Sequence, residues 1–298
     1  MKAKRKNARA ASSAVCTLFV LWAAGLQAQE SAGVQSAGAA APDATALATL
    51  RRARDAQIGS REFDNALKSA KDVVAAQQQA PHDIAYATDV AALARVHAEL
   101  RDSDAAETRY LEAIDIISKA EGEFSPTLVD VYRGLGRSYI RSARYPQAIT
   151  TLETAQNISQ RNLGLFNVEQ SPLLDDMTTA YLGLGDTIEA QKRQLDRLDN
   201  AIRRFGADDP RVFPFRYVLA NYYERSRLPE SAQEQYELVV KAQESALGVS
   251  AAALIAPVRQ LAKLDLLITQ GAEPENRDRL VTLLEQNADS EPLERGLA

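Results

Sequence analysis

From about Ala44 onward, apolar residues return with the helical period almost without interruption, on a background rich in Ala, Leu, Arg, Glu and Gln. β-branched residues are sparse and no alternating Val/Ile/Thr run appears, so every expected element is a helix. The pattern also repeats. Ala66, Ala106, Ala148, Ala190 and Ala232 follow one another at 40, 42, 42 and 42 residues. Nine residues before the last four stand His97, Tyr139, Tyr181 and Tyr223, and twelve before them Ala94, Gly136, Thr178 and Ala220. Four residues after each Ala come Ala70, Tyr110, Leu152, Gln194 and Tyr236. A small residue on one helix facing an Ala on the next lets the axes approach to the short end of roughly 8–10 Å. The Tyr or Leu one turn further then fills the space between hairpins. Each unit is a helix–turn–helix that cannot bury its apolar face alone, so stacked neighbours must complete the core.

Ser125-Pro126, Ser171-Pro172 and Asp209-Pro210 each place a capping side chain before a Pro, which predicts helix starts there. Five units are readable, with a degenerate sixth in which Leu261–Leu267 and Leu280–Leu284 keep the period but Pro274 takes the Ala position. Such a departure suits a terminal cap. The first unit departs too, with Arg54 at the small position. The stacked array is expected over residues 44–288 and a frayed tail over 289–298.

Leu135-Gly136-x-x-Tyr139 followed by Tyr145-x-x-Ala148-x-x-x-Leu152-x-x-Ala155 resembles a tetratricopeptide repeat (TPR), as do Ala106-x-x-x-Tyr110-x-x-Ala113 and Leu184-Gly185-Asp186-x-x-x-Ala190. The spacing is longer than the roughly 34 residues usual for that repeat and is similar to that of kinesin light chains. Their Leu-Gly-x-x-x-Pro connections are comparable to Gly122-Glu123-Phe124-Ser125-Pro126 and Gly206-Ala207-Asp208-Asp209-Pro210, both without the Leu. The resemblance covers about residues 45–285. It implies an all-α, right-handed α-solenoid of five to six stacked repeats whose first helices line a concave surface.

The first 28 residues read differently. Lys2, Lys4, Arg5, Lys6 and Arg9 precede an apolar run from Ala14 to Ala24, and Leu26-Gln27-Ala28 offers a small residue for cleavage. This is the layout of a secretory signal peptide, bacterial in style. The alternative is an uncleaved anchor, since the uncharged stretch Ala10–Ala28 approaches the roughly 20 residues that span a bilayer. Residues 29–43 are small, polar and aperiodic, a flexible linker. The expected location is therefore the periplasm, or the periplasmic face of the inner membrane if the segment stays. Membrane contact is expected only in the second case.

Cleavage would shift the formal charge from −5 to −10 and remove the only Cys (Cys16) and Trp (Trp22). That balance argues against nucleic acid as a partner, because phosphate binding needs a basic footprint. The remainder has two His, no thiol, no phosphate loop and no nucleophile elbow. Gly134-Leu135-Gly136 lacks the third Gly and the preceding strand of a dinucleotide site, and is read as a tight helix contact. His97 shares the Tyr phase and is read as packed. His82 follows Pro81 in a connection, and neither has a second ligand at metal spacing. Paired acids such as Asp175-Asp176 and Asp208-Asp209 are explained by helix starts more simply than by glycosidase chemistry. No catalytic residue, metal or cofactor is expected.

One charge pattern stands out. Arg133, Arg137 and Arg141 lie at i, i+4 and i+8, where like charges repel by a few tenths of a kcal/mol per pair. The same phase carries Arg51 and Arg95 earlier, then Tyr217, Asn221 and Arg225 in the fifth unit. In the family resembled, these positions face the concave surface. Two readings stay open. One is a basic groove (Arg95, Arg133, Arg137, Arg141, Tyr217, Asn221, Arg225) that takes an acidic segment of a partner protein, Arg suiting this through its bidentate grip on carboxylates. The other is a solvated face neutralised by acids on neighbouring helices. The expected function is a non-catalytic interaction scaffold in the bacterial envelope. Its rivals are a structural subunit that self-assembles through its terminal repeats, with Leu280, Leu283 and Leu284 as candidates, and an enzyme with an unrecognised acid pair.

Overall fold

A computed structural model describes residues 44–78, 81–268 and 275–287. The expected leader and linker over 1–43, the tail over 289–298 and Pro274 lie outside the described residues. The described chain is helical, in the order α1 (Ala44–Gly59), α2 (Phe63–Ala75), α3 (Ile84–Glu99), α4 (Ser103–Glu121), α5 (Thr127–Arg141), α6 (Tyr145–Leu163), α7 (Ser171–Leu184), α8 (Thr187–Phe205), α9 (Phe213–Arg225), α10 (Pro229–Leu247), α11 (Ile255–Ile268) and α12 (Glu275–Gln286). Odd and even helices pair as hairpins, and each even helix packs on the next odd one. First helices also meet across hairpins, α3 with α5 and α5 with α7. The result is the α-solenoid that the repeat pattern implied.

The repeated positions form its spine. Ala66, Ala106, Ala148, Ala190 and Ala232 are fully buried, and Ala94, Gly136, Thr178 and Ala220 are buried too, Gly136 against Leu152 and Thr178 against Gln194. Tyr110 is buried against Gly134 of the next hairpin, as expected, whereas Leu152 and Tyr236 are buried against the first helix of their own hairpin, at Gly136 and Tyr217. Glycine is required at two of the close approaches. A Cβ on Gly134 would sit 2.6 Å from the Tyr110 hydroxyl, and one on Gly136 would sit 2.7 Å from Leu152 Cγ. Gly134-Leu135-Gly136 is thus a helix-packing element.

Connections follow the same period. Gly122, Gly164, Gly206 and Gly248 close the even helices with φ between 89° and 96°, paired with ψ between 150° and 165°. That conformation is essentially reserved for glycine. Capping differs in part from the expectation. Asp209 accepts from the Arg211 amide, and Ser125 Oγ accepts from the Thr127 amide. Ser171 does not cap: its hydroxyl donates to the Val168 carbonyl. A short 3₁₀ turn, Val168–Gln170, leads into α7, and Asn167 caps that turn by accepting from the Gln170 amide.

Candidate binding grooves on the first-helix face

Two grooves open along the odd-numbered helices. The first, about 570 Å³, lies over α3 and α5, with Arg95, Arg133, Arg137 and Arg141 around it and Tyr110 and Gly134 in its floor. Its acids are Asp55, Glu99 and Asp130. The four arginines picked out by helical spacing therefore come together.

They are not equally free. Arg133 Nε donates to Asp176 Oδ2 at 2.7 Å, across to α7. Arg141 Nη2 donates to Glu99 Oε1 at 2.6 Å, back to α3. Arg137 is exposed, its Nε 3.8 Å from Asp176 Oδ1, and among the described residues Arg95 has no ion pair. Acids on neighbouring first helices thus neutralise part of the stripe and leave Arg95 and Arg137 turned to solvent. Burial raises the Asp176 carboxyl above its ordinary range, against the opposing pull of Arg133 and Arg137. Burial likewise pushes the Tyr110 phenol up to about 12, although Arg95, Arg141 and Arg137 favour its ionised form. Tyr110 therefore presents a neutral hydroxyl beneath the arginines.

The second groove, about 820 Å³, lies between α7 and α9 above the start of α8. Asn221 and Arg225 line it with Asp175, Thr178, Gln194 and the apolar side chains Leu182 and Leu228. Tyr217 lies in neither lining. Its ring packs on Tyr236 with centroids 5.6 Å apart, and burial pushes its hydroxyl up to about 12. Arg51 also leaves the stripe, turning inward to Asp89.

For chemistry, among the described residues there is no cluster of three His, Cys, Asp or Glu side chains able to hold a metal. His97 Nδ1 lies 3.0 Å from an Asp102 oxygen, inside the turn that joins α3 to α4, and His82 stacks on Tyr86. Asp176 is held by Arg133, and Asp209 by the Arg211 side chain and amide. These acids serve ion pairs and helix starts.

With this geometry in place, the comparisons with known proteins identify the repeat. Residues 84–161 match the tetratricopeptide repeat family. These residues carry tetratricopeptide repeats. The solved structure of a putative kinesin light chain from Podosopora anserina, with nearly identical TPR-like repeats, is 18% identical and superposes with a TM-score of 0.52. That match covers 69% of this chain and 97% of the other. The crystal structure of BtubC (BKLC) from P. vanneervenii gives 18% identity and a TM-score of 0.51, over 85% of this chain and 94% of that one. At such identity the two likenesses speak for the fold. No curated protein matches the chain.

One polar cluster departs from the repeat pattern. Asp89 is buried in the first α3 turns and accepts from Arg51 Nε at 2.9 Å, Arg54 Nη1 at 2.6 Å and Gln77 Nε2 at 2.8 Å. Those bonds hold its carboxyl below the usual range, against the burial that would raise it. The signal was Asp89 itself, which stands where Val131 and Leu173 stand in the next two units.

Proposed function

We infer that this TPR solenoid is a non-catalytic scaffold that holds a segment of a partner protein along its first-helix face, and that it works in the bacterial envelope. The observation that carries the reading is the groove over α3 and α5, where Arg95 and Arg137 stay exposed after Asp176 and Glu99 have taken Arg133 and Arg141. An acidic segment gains charge-assisted hydrogen bonds there. The second groove continues the same face and adds apolar and amide contacts. The envelope location rests on the basic and apolar leader, and no helix among the described residues is long and apolar enough to cross a membrane.

Charge reversal tests the reading. Affinity capture with Arg95→Glu/Arg137→Glu should retain a wild-type partner at least about tenfold less tightly, a loss of about 1.4 kcal/mol. Equal retention by both proteins would move the site off these arginines. The rival, self-assembly through the last hairpin, has its own observation: Leu266, Leu267, Val281 and Leu284 are exposed on α11 and α12. Leu283 drops out of that candidate patch because it is buried, and Leu280 packs against the core. A chain that captures no partner and sediments as a dimer would favour the rival.

A further inference from the structure

The connection between α6 and α7 exposes three apolar residues, where those before α5 and α11 expose Phe124 and then Leu247 and Val249, and it differs from them in what braces it. Residues 161–166 are exposed without a break, with Leu163 and Leu165 each 57% and Phe166 44% accessible. This connection is held out. Gly164 takes φ +91°, and its carbonyl accepts from Asn167 Nδ2. The Leu165 carbonyl accepts from Gln170 Nε2 at 2.9 Å. Gln170 is fully buried, and its Oε1 accepts from Gln156 and Gln160 on α6 at 3.1 and 3.0 Å. In the neighbouring units the same position carries Leu128, Val212 and Leu254, all fully buried. A polar side chain thus replaces a core aliphatic here, and its bonds brace the loop that displays Leu163, Leu165 and Phe166.

Cations surround this tip. Arg203 lies over the Phe166 ring at 4.2 Å, and Arg161 over the Phe124 ring at 4.1 Å, tying the preceding connection to the same edge. Arg204 is exposed, and neither it nor Arg161 has an ion pair among the described residues; Arg203 pairs with Asp199. The one exposed acid within the connection is Glu169.

We propose that this braced loop is a docking site for the surface of an anionic lipid bilayer, with Leu163, Leu165 and Phe166 entering the interface and Arg161, Arg203 and Arg204 meeting the headgroup phosphates. Charge and apolarity together select a bilayer over a protein: three exposed apolar side chains and three arginines share this edge. Apolar side chains flanked by arginines are what an interface of acyl chains beneath anionic headgroups takes up. The site lies at the inter-hairpin edge, separate from the grooves, so a scaffold holding a partner there could rest on a membrane by this loop.

The test uses the full chain with vesicles of equal phosphatidylglycerol and phosphatidylcholine, and with phosphatidylcholine alone. Amide exchange should show protection of residues 161–170 on the anionic vesicles, a readout that separates the loop from the apolar run at residues 14–24. Leu165→Asp/Phe166→Asp should abolish that protection and lower vesicle partitioning at least about tenfold. Ile188→Asp, also at an exposed position but at the α7–α8 turn, should leave both unchanged. Arg161→Glu/Arg204→Glu should remove the preference for the anionic vesicles. Circular dichroism checks that each variant keeps its helices. Exchange at 161–170 that ignores vesicles overturns the proposal. So does equal partitioning of the loop variant and wild type, and a protein captured through this loop would then take the bilayer's place.

Discussion

Replacing Asp89 with alanine is expected to cost about 3–5 kcal/mol, because it strands the buried Arg54 guanidinium. Arg54 is 6% exposed and gives Nη1 to Asp89 at 2.6 Å, with the surface carboxylate of Asp55 as its one other partner among the described residues. The loss should be local. Stacked repeats are stabilised by their own folding and by nearest neighbours, so α1 and α2 should lose amide protection while α9 and α10 keep theirs. The pair Arg54→Met/Asp89→Leu should recover most of the loss, since apolar replacement of a buried ion pair is often neutral or better and neighbouring units already carry Val131 and Leu173 there. The pH dependence has a fixed sign. The native carboxyl titrates below its unfolded value of about 3.9. Its contribution is therefore complete above that value and disappears as pH falls through the native one. Amide exchange of α1–α3 at pH 7 and pH 3 reads both effects. Uniform protection across the chain in Asp89→Ala would contradict the account of the first hairpin.

The second large effect concerns the contact between α5 and α6. Leu152→Ala should destabilise by about 2–5 kcal/mol, since the side chain is fully buried. Gly136→Ala should cost about 1–3 kcal/mol, because the new methyl meets Leu152 Cγ at 2.7 Å and forces that fully buried side chain to shift. The two are coupled. In the double variant the methyl added at Gly136 enters space vacated by Leu152, so the combined loss should fall short of the sum by roughly 0.5 kcal/mol or more. Urea unfolding of the four proteins measures the cycle. Strict additivity would mean that Gly136 is not there to admit Leu152.

How much was readable in advance follows from how a solenoid is built. Its core comes from residues at a fixed offset, so the Ala and Tyr series identified the buried spine before any coordinates, and Gly134 and Gly136 were rightly assigned to packing. Lateral polar contacts obey the same period. Arg133 reaches Asp176 and Arg141 reaches Glu99, partners 43 and 42 residues away in the chain. The partner of each arginine thus lies one repeat ahead or one behind. Ser171 failed as a cap because the 3₁₀ turn before α7 shifts capping to Asn167, and nothing in the Ser-Pro dipeptide reports that turn. Tyr217 shares the phase of the groove residues, yet its ring reaches Tyr236, because a long aromatic side chain can fold over the side of its helix. Gln170 and Asp89 were hidden by their type. Both are polar residues at core phases, where helical periodicity predicts an aliphatic one.

The central claim is that the face of the odd-numbered helices takes up a partner segment. Site-specific photocrosslinking in cells tests it most directly, with a photoreactive side chain at Thr88 or Ala92 in the first groove and, as a control, at Thr108 on the exposed side of α4. The account predicts a discrete protein adduct from Thr88 and Ala92, none from Thr108, and loss of the adduct in Arg95→Glu/Arg137→Glu. An adduct from Thr108 with none from the groove would contradict it.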